Sequence, residues 1–244
     1  MLCYAVRHAE STVNAGLGGG VDCDLTPLGM SQARALCDRL EHARPVALYS
    51  SPYRRAIRTA EPLARRLGLP MRIQPELCEF HPATSDNLSA FSPPDLQAIC
   101  REFDFAAPAV ESMDEAEVGA PALVGDPTAL WTPLGESVEQ LIERSRRFAR
   151  FLKRRFTGLE DTLVVFGHGS PIARLIDAWL TDTPGPSFRF LIDNASLNVL
   201  RCHEGVSSLV CLNESSHLTT LPAPSASYLN ANRVIKPAPP TAYW

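Results

Sequence analysis

Two histidines in this chain stand where strands would end. The apolar run Met1 to Val6 stops abruptly at Arg7-His8, and the run Leu163 to Phe166 stops at Gly167-His168-Gly169-Ser170. Ligands of open α/β sheets bind outside the carboxyl ends of strands. The first run therefore carries a nucleophile-capable imidazole and a permanent cation to a candidate site edge, and the second brings another imidazole to a matching place. Neutral imidazole is a competent nucleophile near neutral pH. A lone histidine is more often structural or exposed, and that reading is taken for His42, His203 and His217. It fails for His8 and His168 because two strand ends repeat the same feature.

The elements that would position them follow from hydrophobic pattern. Strands are expected at Leu2–Val6, Val46–Tyr49, Met71–Ile73, Thr162–Phe166, Ser196–Leu200 and Ser208–Leu212. Helices fill the intervals. Thr26-Pro27 reads as an N-cap followed by proline, opening a helix that turns Met30, Ala33, Leu36, Cys37 and Leu40 inward. A second helix runs from about Tyr53 to Leu67 and stops at Gly68. A third starts near Glu136 and reaches Arg155, with Val138, Leu141, Ile142, Phe148 and Leu152 at helical spacing. A fourth runs from Pro171 to Leu180, with Ser170 expected as its cap. The alternation predicts an α/β three-layer sandwich around a mostly parallel central sheet.

Two segments break the rhythm. Residues 80–134 are rich in proline, alanine and acids, and are expected to form an inserted cap-like segment over the active-site edge. Residues 221–244 hold five prolines and little apolar pattern, which reads as a Pro-rich C-terminal tail on a single domain spanning 1–220.

Composition excludes several classes. At 244 residues and a formal charge of -4, the chain has no basic block, so nucleic acid is not an expected partner. No run approaches a bilayer span, and no signal peptide is read at the start. Seven cysteines, none in a CxxC pair, fit reduced thiols in a cytoplasmic protein better than disulfides or zinc.

Six blocks carry a family resemblance. They are Arg7-His8-Ala9-Glu10 with Asn14, Asp24-Leu25-Thr26-Pro27-Leu28-Gly29, Ser50 to Ala60 (SSPYRRAIRTA), Leu77-Cys78-Glu79, Gly135-Glu136-Ser137 with Arg144, and Gly167-His168-Gly169. In this order they resemble the signature blocks of the histidine phosphatase superfamily, the phosphoglycerate mutase-like proteins of branch 1. The resemblance implies the phosphoglycerate mutase-like fold and a metal-independent phosphomonoester hydrolase of histidine acid phosphatase type, with no cofactor and no metal. It implies His8 as nucleophile, and Arg7, Arg55, Asn14, His168 and Gly169 around the phosphate. Arg55 is the match because it directly precedes the alanine, whereas Arg54 and Arg58 are read as surface charges. The roles are physically apt: a guanidinium fork grips two phosphoryl oxygens and stays charged, and phosphoryl transfer is mostly positioning and charge stabilisation.

Glu79 matches the family's proton donor, a role that calls for a raised carboxyl pKa. Here the chain departs from the pattern, with Phe80-His81-Pro82 in place of the common glycine and tryptophan turn. Glu76 and His81 therefore stay open as alternatives. Ala9 replaces the commoner glycine, which should restrict the backbone without abolishing the site. Ser11 is a further candidate contact.

A hydrolase and a phosphoglycerate-type mutase would share the phosphohistidine step. Residues 80–134 contain one basic residue, Arg101, against nine acids. Such a segment would repel a polyanion, which favours hydrolysis of a phosphorylated small molecule with a neutral, polar or cationic remainder. A non-catalytic phosphate- or partner-binding member of the fold ranks lower, and a homodimer is left open.

Overall fold

The computed structural model describes residues 1–82, 134–183, 185 and 190–222. Its centre is a six-stranded sheet of β1 (Leu2–Arg7), β2 (Ala47–Ser50), β3 (Met71–Ile73), β6 (Thr162–Gly167), β7 (Leu197–His203) and β8 (Val206–Glu214), in the order β3-β2-β6-β1-β7-β8. The first four run parallel to one another, β7 runs antiparallel to β1, and β8 runs antiparallel to β7. Among the described residues four α-helices cover it: α1 (Pro27–Leu40), α2 (Arg54–Leu67), α3 (Val138–Arg155) and α4 (Gly169–Leu180).

Strand alternation sorts the core into two halves. Leu163 and Val165 of β6 pack with Phe148, Leu152, Ile176 and Trp179 of α3 and α4. Val164 and Phe166 pack with Leu36, Leu40, Ile57 and Leu63 of α1 and α2. All four side chains of that β6 run are fully buried, which is why it reads as a continuous apolar run rather than an alternating one.

Local signals explain the helix ends. The Thr26 hydroxyl accepts from Gly29 N at 3.0 Å, and Pro27 opens α1. Gly29 is required by packing, since a Cβ there would lie 2.0 Å from the Glu10 carbonyl oxygen. Gly68 closes α2 in the left-handed region at φ 63°.

The structure corrects three local expectations. The helix expected near Glu136 begins at Val138, where Ser137 and Gln140 form a reciprocal capping box. Glu136 belongs instead to a short strand, β5 (Leu134–Glu136), paired parallel with β4 (His81–Pro82). Ser170 is not a cap, because α4 already starts at Gly169 with His168 at the N-cap position. Pro171 then sits in the first turn, where a missing N–H costs nothing. The last two strands form an antiparallel hairpin that turns at Glu204 and Gly205, with φ of 49° and 78°.

Among the expected segments, 83–133 and 223–244 lie outside the described residues, including Arg101, Cys100 and all nine acids counted for 80–134. The β4–β5 pairing sets the two ends of the first segment side by side. The other six cysteines are free thiols, four of them buried. No helix among the described residues is long and apolar enough to cross a membrane.

Candidate active site

The site is built where β1 and β6 end together. Arg7 pairs with Gly167 at the last rung, so His8 and His168 emerge side by side. Their rings meet edge-on at 5.1 Å between centroids, and both side chains are buried. This adjacency is what two apolar runs ending in histidine implied.

His8 is held in one tautomer. Its Nδ1 lies 2.8 Å from the Ala9 carbonyl oxygen. A carbonyl only accepts, so Nδ1 carries the proton and Nε2 keeps its lone pair. Arg55 Nε donates to that Nε2 at 3.3 Å, while Arg55 Nη1 is anchored on the Val21 carbonyl at 2.6 Å. Burial first, then the Arg55 and Arg7 charges, holds the His8 pKa well below its ordinary value. The imidazole is therefore neutral at neutral pH.

Ala9 stands where the commoner glycine would give more backbone freedom. It is not among the residues at positive φ, and its N–H donates to Thr59 Oγ1 at 2.9 Å. An added methyl is thus accommodated in ordinary backbone.

Arg7 donates to the Ile192 carbonyl and lies over the start of α4, where a Cβ on Gly169 would sit 3.5 Å from the guanidinium carbon. A guanidinium and a helix N-terminus so placed both favour an anion. Arg55 is buried in the first turn of α2, with its guanidinium 4.7 Å from the Tyr53 ring centroid. By contrast Arg58 pairs with Asp24 at 3.4 Å and is partly exposed, and Arg54 contributes its backbone N–H to Asp22.

His168 contacts Ser51 Oγ through Nε2 at 2.8 Å. Its Nδ1 faces Glu79 Oε2 at 3.8 Å. That nitrogen is buried with no hydrogen-bond partner among the described residues. Burial first, then Arg55, His8 and Arg7, holds its pKa well below the ordinary value. Tyr53 meets the His168 ring edge-on at 5.0 Å.

Of the three candidate donors, Glu79 is the one whose carboxylate reaches the histidine pair. Glu76 is turned away, pairing with Arg147 at 3.3 Å and accepting from Gln74. His81 Nε2 lies 3.0 Å from the Tyr53 hydroxyl. Asn14 Oδ1 accepts from Ser11 N and Oγ, so Ser11 holds Asn14. His42 and His203 are exposed, and His217 is a structural group bound to the Ala195 carbonyl at 2.9 Å.

Donor atoms of His8, Glu79 and His168 lie within 4.8 Å of one another, a spacing a metal ion could use. The charges around them argue for the opposite guest. Two guanidinium groups depress both imidazoles, and the same field that repels a cation attracts an oxyanion.

Three neighbours carried no role in the sequence reading. Ser51 and Tyr53 lie inside the block that supplied Arg55. Asn194 precedes β7 in a loop without periodicity. Its Nδ2 donates to the His8 carbonyl at 2.7 Å and to Asn14 Oδ1 at 3.2 Å.

An open α/β sheet whose strand ends converge two imidazoles, two guanidinium groups and a carboxylate defines an anion-handling site of group-transfer type. A family model, the histidine phosphatase superfamily (branch 1), matches residues 3–215, and the chain belongs to that family. It is 31% identical over 225 residues to a probable phosphatase of Schizosaccharomyces pombe, covering 88% of this chain and 70% of that one. It is 28% identical over 220 residues to a metal-independent phosphoserine phosphatase of Arabidopsis thaliana, covering 88% and 82%. Among solved structures, a mycobacterial glucosyl-3-phosphoglycerate phosphatase complexed with VO3 superposes with a TM-score of 0.60 at 26% identity, covering 88% of this chain and 99% of that one.

Proposed function

We propose that this chain is a metal-independent phosphatase that hydrolyses small-molecule phosphomonoesters through a phosphohistidine on His8. The observation that carries the reading is the His8 ring itself, neutral, with Nδ1–H given to Ala9 and the Nε2 lone pair directed at the Arg55 guanidinium. A phosphoryl group placed there would present oxygens to Arg55 and phosphorus to Nε2.

In the first step Nε2 attacks phosphorus as the ester P–O bond breaks, and Glu79 gives its proton to the departing oxygen. In the second, water attacks the phosphohistidine, Glu79 takes its proton, the N–P bond breaks, and inorganic phosphate leaves. Arg7, Arg55 and the Asn14 amide hold the phosphoryl oxygens, with backbone N–H groups at Gly169. Ser51 Oγ accepts from Tyr53 N–H, and in this mechanism it gives its own hydrogen to His168 Nε2. His168 then carries its proton at Nδ1, as a donor toward charge building on phosphorus.

The relatives' names, a metal-independent phosphoserine phosphatase and a glucosyl-3-phosphoglycerate phosphatase, support a polar phosphomonoester as substrate and a hydrolytic outcome. The acid-rich composition of 80–134 favours the same outcome over a phosphoglycerate mutase, which must retain a polyanion. One domain over residues 1–220 is part of the same proposal.

The test is release of phosphate from p-nitrophenyl phosphate in EDTA by the wild type and by His8→Ala. Activity that survives chelation and is lost in the variant is expected. Equal activity in both would remove His8 from the mechanism.

A further inference from the structure

We infer that Asn194 is a positioning residue for the nucleophile, fixing the ring nitrogen that His8 presents to phosphorus. This rests on the proposed role of His8 and adds to it a group far along the chain.

β1 ends at Arg7, so the carbonyls of His8 and Ala9 lie beyond the sheet ladder. Both are turned toward one amide. Asn194 Nδ2 lies 2.7 Å from the His8 oxygen and 3.4 Å from the Ala9 oxygen. Nδ2 also lies 3.5 Å from His8 Nδ1, but three oxygens outweigh that one N–H: reversed, the amide oxygen would face the His8, Ala9 and Asn14 oxygens at once. Asn194 is buried. Losing it would strip one donor from each carbonyl, leaving the Ala9 oxygen to His8 Nδ1 and the His8 oxygen to Ala195 N.

The consequence for chemistry lies in the Ala9 oxygen. It accepts from His8 Nδ1, and together with the Arg55 N–H at Nε2 that bond decides which nitrogen keeps the lone pair. Asn194 holds the carbonyl in place for the ring. It also ties the nucleophile to Asn14, the proposed phosphate donor, through Asn14 Oδ1. The loop that carries Asn194 is itself fastened. Asn213 donates to the Leu191 carbonyl and accepts from Asp193 N, and Ala195 N donates to the Arg7 and His8 carbonyls. This loop, with Asn194 and Ala195 buried in it, thus holds the backbone of Arg7, where β1 ends, and of His8 just beyond it.

The experiment compares the full chain with Asn194→Ala and Asn194→Asp, using ring-labelled histidines and long-range proton–nitrogen NMR. The wild type is expected to show His8 protonated at Nδ1. Asn194→Ala should show a mixed or reversed tautomer, with kcat on p-nitrophenyl phosphate down about 10²-fold. Inhibition by inorganic phosphate, held by Arg7 and Arg55, should change less than about threefold. Asn194→Asp keeps the side chain's size, removes its donor, and places a carboxylate by an imidazole that otherwise faces Arg7, Arg55 and His168. It should move the acid limb of kcat/KM to higher pH.

An unchanged tautomer with unchanged kcat in Asn194→Ala would overturn the inference, as would phosphate affinity lost in step with turnover. Should that variant fail to fold, the pH profile of Asn194→Asp decides alone, and an unshifted limb overturns it. If His8→Ala turns over normally while Asn194→Ala reverses the tautomer, the proposed function falls and the positioning of His8 stands.

Discussion

Nδ1 of His168 faces Oε2 of Glu79 across 3.8 Å, too far for a hydrogen bond and close enough for one phosphoryl oxygen to engage both. Glu79 Oε1 is steadied by Phe80 N at 2.9 Å, so the departure after the acid block still supplies a backbone donor to orient the carboxyl. Neither alternative is placed this way, since Glu76 belongs to Arg147 and His81 to Tyr53.

That placement separates two glutamates by experiment. Glu79→Gln should slow hydrolysis of an alkyl phosphate by about 10²–10⁴-fold, the usual worth of a positioned general acid. On p-nitrophenyl phosphate the loss should be far smaller, because nitrophenolate leaves without a proton. Glu76→Gln should affect both substrates alike and weakly. Equal losses for Glu79→Gln on the two substrates would remove Glu79 from the donor's role.

Ser51→Ala tests the orientation of His168. The hydroxyl is the partner of Nε2 at 2.8 Å. Deleting a buried hydrogen bond costs about 0.5–1.5 kcal/mol, and borne by the transition state this becomes roughly 2–10-fold in kcat. KM should move little. A drop in KM-bound affinity with intact kcat would place the serine's effect on binding instead.

Both site histidines have pKa values held down in the folded chain, by burial first and by neighbouring guanidinium groups next. The sign follows from linkage. Between the lowered folded value and the unfolded value near 6.5, the unfolded chain binds more protons, so stability rises with pH through that window. The thermal midpoint should fall as pH drops below about 6.5. Inorganic phosphate, which favours the protonated imidazoles, should raise the midpoint more at pH 5 than at pH 8. A phosphate shift independent of pH would contradict the neutral pair.

Much of this was legible along the chain because the signals are local. An apolar run ending in Arg7-His8, a Thr-Pro cap before α1 and a glycine after α2 each act within a few residues. Arg55 was separable from Arg54 and Arg58 because it directly precedes the alanine of its block, and the structure turns it inward toward His8. The missed features are of another kind. Ser51 meets His168 across 117 residues and Asn194 meets His8 across 186. No periodicity encodes such contacts, which arise only when the sheet aligns its strand ends. Glu136 misled for a related reason: an acid just before a helical pattern reads as its first turn, and only pairing with β4 makes it a strand residue.

Arg144 gives the last test, because it joins the acid block to the helix behind it. Its Nε and Nη2 grip the Glu136 carboxylate at 2.6 and 2.9 Å, and Nη1 donates to the Glu76 carbonyl. Both side chains of the pair are about 1% exposed. The guanidinium thereby holds β5 and the turn of residues 75–77, which leads into Glu79, against α3. Breaking one side of a buried pair leaves an uncompensated charge, at a cost of about 3–5 kcal/mol. Arg144→Met should therefore unfold at markedly lower denaturant concentration. Arg144→Met with Glu136→Leu should recover much of that loss, since no charge is then stranded. Activity should not recover with stability, because the restored core no longer ties the Glu76 carbonyl in place. Recovery of full turnover in the double variant would show that the Arg144 tether serves stability alone.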